Sequence, residues 1–287
     1  AVWFFGGLSV DRLIAAEAKR AGAATLAYLV NGNYRAKRWC RDVDMILTDS
    51  QATAGFYKDR LGIAVQPVGS FIRPEAVMAQ DHTRRCLTFV NPKPEKGAYL
   101  VAQLALALET RRPDIPFEVV DSRAGSWDRV LARVRAALSL PGEGALSNVT
   151  VTPATSDMRP VYGRARALLA PSLWWESGAR VLAEAMLNGV PAVVTKRGGS
   201  PEMIGEGGIV LTLPEIYHEA PYTRLLAPQA LEAVIGILTQ IHDDEDGYGR
   251  MVAAARAAGR DLHDIARNTD RLVKTLGHIL PIPSPDG

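Results

Sequence analysis

Only two cysteines, Cys40 and Cys86, occur in 287 residues, without the spacing of a metal site or the numbers for a disulfide framework. That scarcity, with no secretory leader in the residues present, leads us to expect a reducing cytoplasm. An excess of one charge is also lacking: 33 lysines and arginines face 31 aspartates and glutamates, for a net +2. Such a balance gives no electrostatic case for nucleic acid. No apolar run approaches the ~20 residues of a membrane span. The richest, Leu100–Leu108, is interrupted by Gln103. A dinucleotide fingerprint is missing too, because Gly6-Gly7 does not sit in G-x-G-x-x-G spacing.

What remains is a chain that is 47% hydrophobic and long enough for two α/β domains. Val2–Phe5 reads as a buried-type strand, and Ser9 as the cap of a helix through Ala21. Thr25–Val30, Met45–Thr48 and Val65–Phe71 read as strands, with a helix over Gln51–Leu61. Arg73–Thr83 reads as a linker. A second alternation follows: strands Leu87–Val90, Phe117–Asp121 and Val149–Thr152, and helices Ala98–Arg111 and Trp127–Leu138. Asp157 caps a short helix to about Arg164. Helices are also expected over Pro228–Ile241 and, interrupted at Gly259, over Gly249–Leu280, with a tail from Pro281. Strand alternating with helix predicts doubly wound lobes with parallel sheets, divided as 1–80, 81–248 and 249–287.

The chemistry concentrates in Leu168–Leu211. Here an apolar strand (Ala165–Ala170) meets Pro171-Ser172, two tryptophans and Glu176-Ser177-Gly178. A helix with Val181, Leu182, Ala185 and Met186 on one stripe follows, then the strand Ala192–Thr195 and the pair Gly198-Gly199. Ser177 suits an N-cap, which would leave the N–H groups of Gly178 to Arg180 free for an anion such as a diphosphate. Arg180 opposes the helix dipole, which an arriving phosphate would correct, although a solvated arginine reads equally well. Glu184 lies off the stripe, and side chains lean toward the helix start. Its carboxylate could therefore meet paired ribose hydroxyls, although an exposed glutamate is the commoner meaning.

Two glutamates with seven residues between them, ahead of Glu184-Ala-Met-Leu-Asn-Gly-Val-Pro191 and a Gly-Gly turn, resemble the signature of retaining GT-B glycosyltransferases of the glycogen-synthase-like group, family GT4. Lys96-Gly97 is similar to that family's phosphate-binding Lys-Gly, and Asp44-Met-Ile-Leu-Thr-Asp-Ser50 to a stretch of its first lobe. The resemblance implies retaining transfer of a sugar from a nucleoside-diphosphate donor, with no cofactor and no obligatory metal. It implies that Glu176 contacts the donor sugar, Lys96 and Arg180 stabilise the leaving diphosphate, and Glu184 holds the ribose. The backbone of Ser177 to Val181 and Gly199 completes the donor site, and the C-terminal helix crosses back to the first lobe. Two departures stand out. Ala179 occupies a position usually held by glycine, so its methyl group limits how closely a diphosphate approaches. Asn91-Pro92 replaces a frequent Gly-Arg pair, leaving Lys93 as a point charge in place of a guanidinium fork.

Other features read more plainly. Asp42-Val-Asp44 resembles a metal motif of another glycosyltransferase fold, but at a strand entrance it reads as capping. The acidic run His242–Gly247 lacks calcium-loop spacing and reads as a solvated loop. Asn33–Arg41, basic with Tyr34 and Trp39, suits an anionic lipid surface or acceptor, and more commonly a short solvated helix. Because Val2–Phe5 resembles a middle strand, the first lobe is expected to be incomplete, its bare edge covered by a missing segment or another chain. Asn31 stands near where relatives place a histidine beside the acceptor. That leaves open a donor-binding module without catalysis, and a sugar-nucleotide epimerase of the same fold, a different reaction in a similar cleft, is a second rival. The base, the sugar and the acceptor (glycan, lipid or small molecule) lie in variable loops.

Overall fold

The short apolar runs separated by glycine and proline turns fold as two parallel sheets. The computed structural model describes residues 1–5 and 10–280. The Gly6-Gly7 turn, the Ser9 cap and the tail from Pro281 lie outside the described residues. The first lobe holds β1 (Val2–Phe5), α1 (Asp11–Arg20), β2 (Thr25–Leu29), β3 (Met45–Thr48), α2 (Gln51–Leu61), β4 (Gln66–Pro67) and the single turn α3 (Pro74–Val77). Its strands run parallel in the order β1-β2-β3-β4.

Several expectations for this lobe need correction. Strand β1 is not fully buried: it pairs with β2 alone among the described residues, and Trp3 (46%) and Phe5 (67%) are exposed. Strand β4 is only two residues long, because Pro67 has no N–H for the ladder and β3 ends opposite it. The linker Arg73–Thr83 includes α3 and is fastened by Asn188, whose side chain accepts from Ala79 N at 2.8 Å and donates to Val77 O at 3.0 Å. The basic run Asn33–Arg41 holds a single tight turn, Lys37–Cys40. Its rings turn inward, Trp39 stacking on Tyr34 at 4.3 Å beside Tyr57, while Lys37 and Arg38 face solvent. Asp44 accepts from Thr25 N at 2.9 Å and pairs with Lys19.

The second lobe runs β5 (Cys86–Val90), α4 (Ala98–Arg111), β6 (Phe117–Asp121), α5 (Ser126–Ala137), β7 (Val149–Pro153), α6 (Arg159–Arg164), β8 (Ala165–Ala170), α7 (Arg180–Leu187), β9 (Ala192–Thr195), α8 (Ser200–Ile204) and β10 (Gly208–Leu211). Its sheet is ordered β10-β9-β8-β5-β6-β7, all parallel. The chain winds outward from β5 to β7, then crosses back and winds outward again from β8. That reversal makes β5/β8 the switch point, where ligands enter α/β sheets beyond the strand ends. One face buries Leu100, Leu104 and Leu108 of α4, each side chain worth about 1.5–3 kcal/mol. The other buries Leu182, Ala185 and Met186 of α7.

The chain then forms α9 (Pro228–Asp243), α10 (Glu245–Leu262) and α11 (Ile265–Leu276). The acidic run is therefore no loop: Asp244 caps α10, accepting from Gly247 N at 2.8 Å. Nor does Gly259 interrupt α10. Its missing side chain lets α10 lie on α7, since a Cβ there would stand 2.6 Å from Met186 O. The break falls at His263-Asp264, where Asp264 caps α11 by accepting from Arg267 N at 2.7 Å. Helix α11 packs on the first lobe, with Leu272, Leu276 and, just past its end, Ile279 against Leu26, Leu47 and Val68. Buried Asn268 donates there to Ser70 O at 2.8 Å.

Candidate functional site

Two loops leave the switch point and enclose a cavity of about 250 Å³. The β5–α4 loop supplies Asn91 and Lys96; the β8–α7 loop supplies Ser172, Glu176, Gly178 and Ala179; α7 adds Arg180 and Val181. Gly97 closes the first loop at φ +83°, tight against the second: a Cβ would stand 2.2 Å from Pro171 O. The loops also meet through Leu173 N, which donates to Glu95 O at 2.9 Å. Lys96 and Glu176, expected to act on different parts of a donor, are ion-paired with each other. Ser172 Oγ donates to the same Glu176 oxygen at 2.9 Å, and the lysine lies 5.2 Å from the ring centre of Trp174.

The start of α7 differs from expectation. Ser177 does not cap it; the helix begins one residue after Ala179, with no side-chain cap. Ser177 is fully buried, and its hydroxyl donates to Asp49 of the first lobe and lies 3.0 Å from Thr48 Oγ1. A partner across the lobe boundary has taken the hydroxyl that local rules assign to the helix. The first N–H groups of α7 are left without a side-chain partner, beside a cavity lined by Gly178, Ala179, Arg180 and Val181. Such an end, with Lys96 and Arg180 beside it, suits an anion.

Glu184 is also placed differently. It is 4% exposed and does not line the cavity. Tyr162 of α6 donates to its Oε2 at 2.7 Å, and Arg180, one turn earlier, pairs with Oε1. Burial, helped by the adjacent carboxylate, pushes the Tyr162 phenol well above its usual range, so it remains a donor. Removing the carboxylate strands that hydroxyl. Glu184→Ala is expected to lower stability by about 1–3 kcal/mol. A melting temperature equal to the parent's would contradict the buried placement.

Gly199 does not line the cavity either; it backs the second loop. Its N–H donates to Glu176 O at 2.8 Å, and a Cβ would lie 1.9 Å from Ser177 O. Its neighbour Ser200 does line the cavity, with a hydroxyl that is buried and without a hydrogen-bond partner.

The first lobe closes over this arrangement. Asn31 forms a lone antiparallel bridge with Glu176. Trp175 packs on Phe56 at 4.3 Å and donates to Thr53 Oγ1 at 3.2 Å. Glu202 of α8 accepts from the N–H groups of Gln51 and Ala52 at 2.8 and 3.0 Å, capping α2 from the other lobe. Burial raises the pKa of Asp49 despite the hydrogen bond from Ser177, and Glu202 adds to the rise. A carboxylate raised on folding stabilises most when protonated, and that stability is lost as pH climbs through its folded pKa. Asparagine still accepts from Ser177 but does not titrate. The gain in melting temperature from Asp49→Asn should therefore be larger at pH 8 than at pH 4, and an equal gain at both would refute this account.

Asp49, Tyr162, Ser172 and Ser200 were not singled out by the sequence. Asp49 and Tyr162 are joined to the site only through folding. Ser172 stands four residues before Glu176 and Ser200 directly after Gly199, so both were within reach of the motif.

Two α/β lobes, with an anion-suited cavity at the switch point of the second and a terminal helix returning to the first, define the GT-B class. Solved structures agree on the fold. Anabaena Alr3699/HepE in complex with UDP-glucose is 16% identical over 96% of this chain and 79% of that one, with a TM-score of 0.75. The pneumococcal O-GlcNAc transferase GtfA, in complex with UDP and GlcNAc, is 14% identical over 96% of this chain and 56% of that one, TM-score 0.71. A glycosyltransferase from Rickettsia africae is 14% identical over 96% and 82%, TM-score 0.63. No curated protein sequence matches. Residues 85–220 match the family described as glycosyl transferases group 1. The second lobe thus resembles a glycosyl transferases group 1 domain over residues 85–220, on a GT-B fold.

Proposed function

We propose that the chain transfers a sugar from a nucleoside-diphosphate sugar to an acceptor, with retention at the anomeric carbon, as a GT4-like enzyme of the cytoplasm. The match over residues 85–220 carries this reading, because that span contains both loops of the cavity. The diphosphate lies at the start of α7, between Lys96 and Arg180. Glu176 meets the hydroxyls of the donor sugar once Lys96 has turned from it to phosphate. Arg180 makes the same exchange, freeing Glu184 Oε1 for the ribose. As the bond from the anomeric carbon to phosphate breaks, the acceptor oxygen bonds to that carbon and its proton passes to the departing phosphate. Cations that meet the growing phosphate charge more strongly than the resting donor raise the rate. Neither a metal nor another cofactor is needed for this scheme.

The test incubates the chain with UDP- and GDP-sugars, with and without mono- and oligosaccharide acceptors, and follows products by proton NMR. Transfer with the donor's anomeric configuration supports the reading. Epimerised donor without acceptor identifies an epimerase. Donor binding with neither product identifies a binding module.

A further inference from the structure

The β5–α4 loop has a second side. Asn91 and Lys96 line the donor cavity, whereas Lys93 and Glu95 line a separate cleft of about 380 Å³ against the start of α5. Arg123, Arg129 and Arg133 complete that cleft, so four cations face one carboxylate. Among the described residues, none of the four is ion-paired. The only side-chain bond among them runs from Arg129 to Ser126 Oγ, at 3.1 Å. Asp121, at the end of β6, is occupied by the N–H groups of Arg123, Ser126 and Trp127 at 3.1, 2.8 and 3.2 Å.

Other arginines of this lobe are held by carboxylates: Arg111 by Glu232, Arg112 by Asp114 and Asp243, and Arg159 by Asp157. The four cations of the cleft have no such partner among the described residues and line one concave space. Positive groups converging on a concave space focus a field that an anion relieves. Guanidinium forks fit oxyanions with paired N–H groups. A phosphoryl group, with three acceptor oxygens and close to two negative charges, satisfies more of these donors than a single carboxylate.

We propose that this cleft binds a phosphoryl group, free or carried on a ligand, at a site separate from the donor diphosphate. A hydrogen bond from Ser122 Oγ to Asn91 Oδ1, at 2.6 Å, ties the α5 side to the loop shared by both sites.

Calorimetric titration of the full chain with glycerol 3-phosphate and with inorganic phosphate tests this at low salt. Binding of both probes should survive in Lys96→Ala/Arg180→Ala, which removes any binding of them at the donor cations and leaves the cleft intact. Arg129→Ala/Arg133→Ala should weaken binding by about tenfold or more, as loss of two charge-assisted contacts implies. Arg224→Ala/Arg250→Ala, which removes the same charge from exposed positions elsewhere, should leave it unchanged. Tighter binding of the ester assigns a ligand-borne phosphoryl, and equal or tighter binding of the ion assigns free phosphate. No binding to the parent, an unchanged affinity in Arg129→Ala/Arg133→Ala, or an equal loss in the charge-matched control overturns the proposal. Circular dichroism of each variant confirms that it is folded.

Discussion

Replacing Lys96 with alanine is expected to lower kcat by about 10²–10³-fold, the cost of losing one preorganised donor to a developing oxyanion. Lys96 is positioned for that role by the loop closed at Gly97, whose backbone rests against Pro171. In the unliganded arrangement its charge is held by Glu176. Exchanging one anion for another costs less than bringing a lysine in from water, because most of its side chain is already out of water. Affinity for the bare nucleoside should change little, since neither loop cation meets the base. Steady-state kinetics with parallel titrations of nucleoside and nucleoside diphosphate separate the two effects. Equal losses for both ligands, or turnover near the parent's, would remove Lys96 from the phosphate site.

The second large effect is on stability. Gly198→Ala is expected to destabilise the chain by about 2–5 kcal/mol, as backbone strain and overpacking at one position together imply. Gly198 sits at φ +59°, a left-handed conformation that alanine tolerates poorly. There is no space either, since a Cβ would lie 2.0 Å from Glu176 O. The clash would push the 176–178 loop away from the turn that supports it and disorganise the cavity with it. Denaturant titration reads the loss. A variant within about 1 kcal/mol of the parent would mean that the loop relaxes freely, against its close-packed description.

The parts of this fold legible in the sequence are those set by local pattern. Ala165–Ala170, apolar but for Arg166, runs into Pro171, and the largely apolar Ala192–Thr195 follows Pro191; both are strands at those limits. What was misread depends on partners distant in sequence. Ser177 has the chemistry of a cap, yet Asp49, 128 residues earlier, takes its hydroxyl. Glu184 falls off the hydrophobic stripe of α7, yet Tyr162 makes its burial tolerable. Gly259 has the composition of a break, while its function is the close approach of α10 to α7. Periodicity contains no information about which polar atom across a lobe boundary will satisfy another. The two glutamates were found through resemblance, and the exchangeable pairs they make with Lys96 and Arg180 only through coordinates.

The central claim is that the cavity at the β5/β8 switch point holds a nucleoside diphosphate through Lys96, Arg180 and the start of α7. Calorimetric titration of UDP and GDP into the parent and into Arg180→Ala measures this most directly. The account predicts saturable one-to-one binding of at least one of them, weakened by about 1.5–3 kcal/mol in the variant, as for a hydrogen bond to a charged group. Failure of both nucleotides to bind the parent, or binding unchanged in Arg180→Ala, would contradict it.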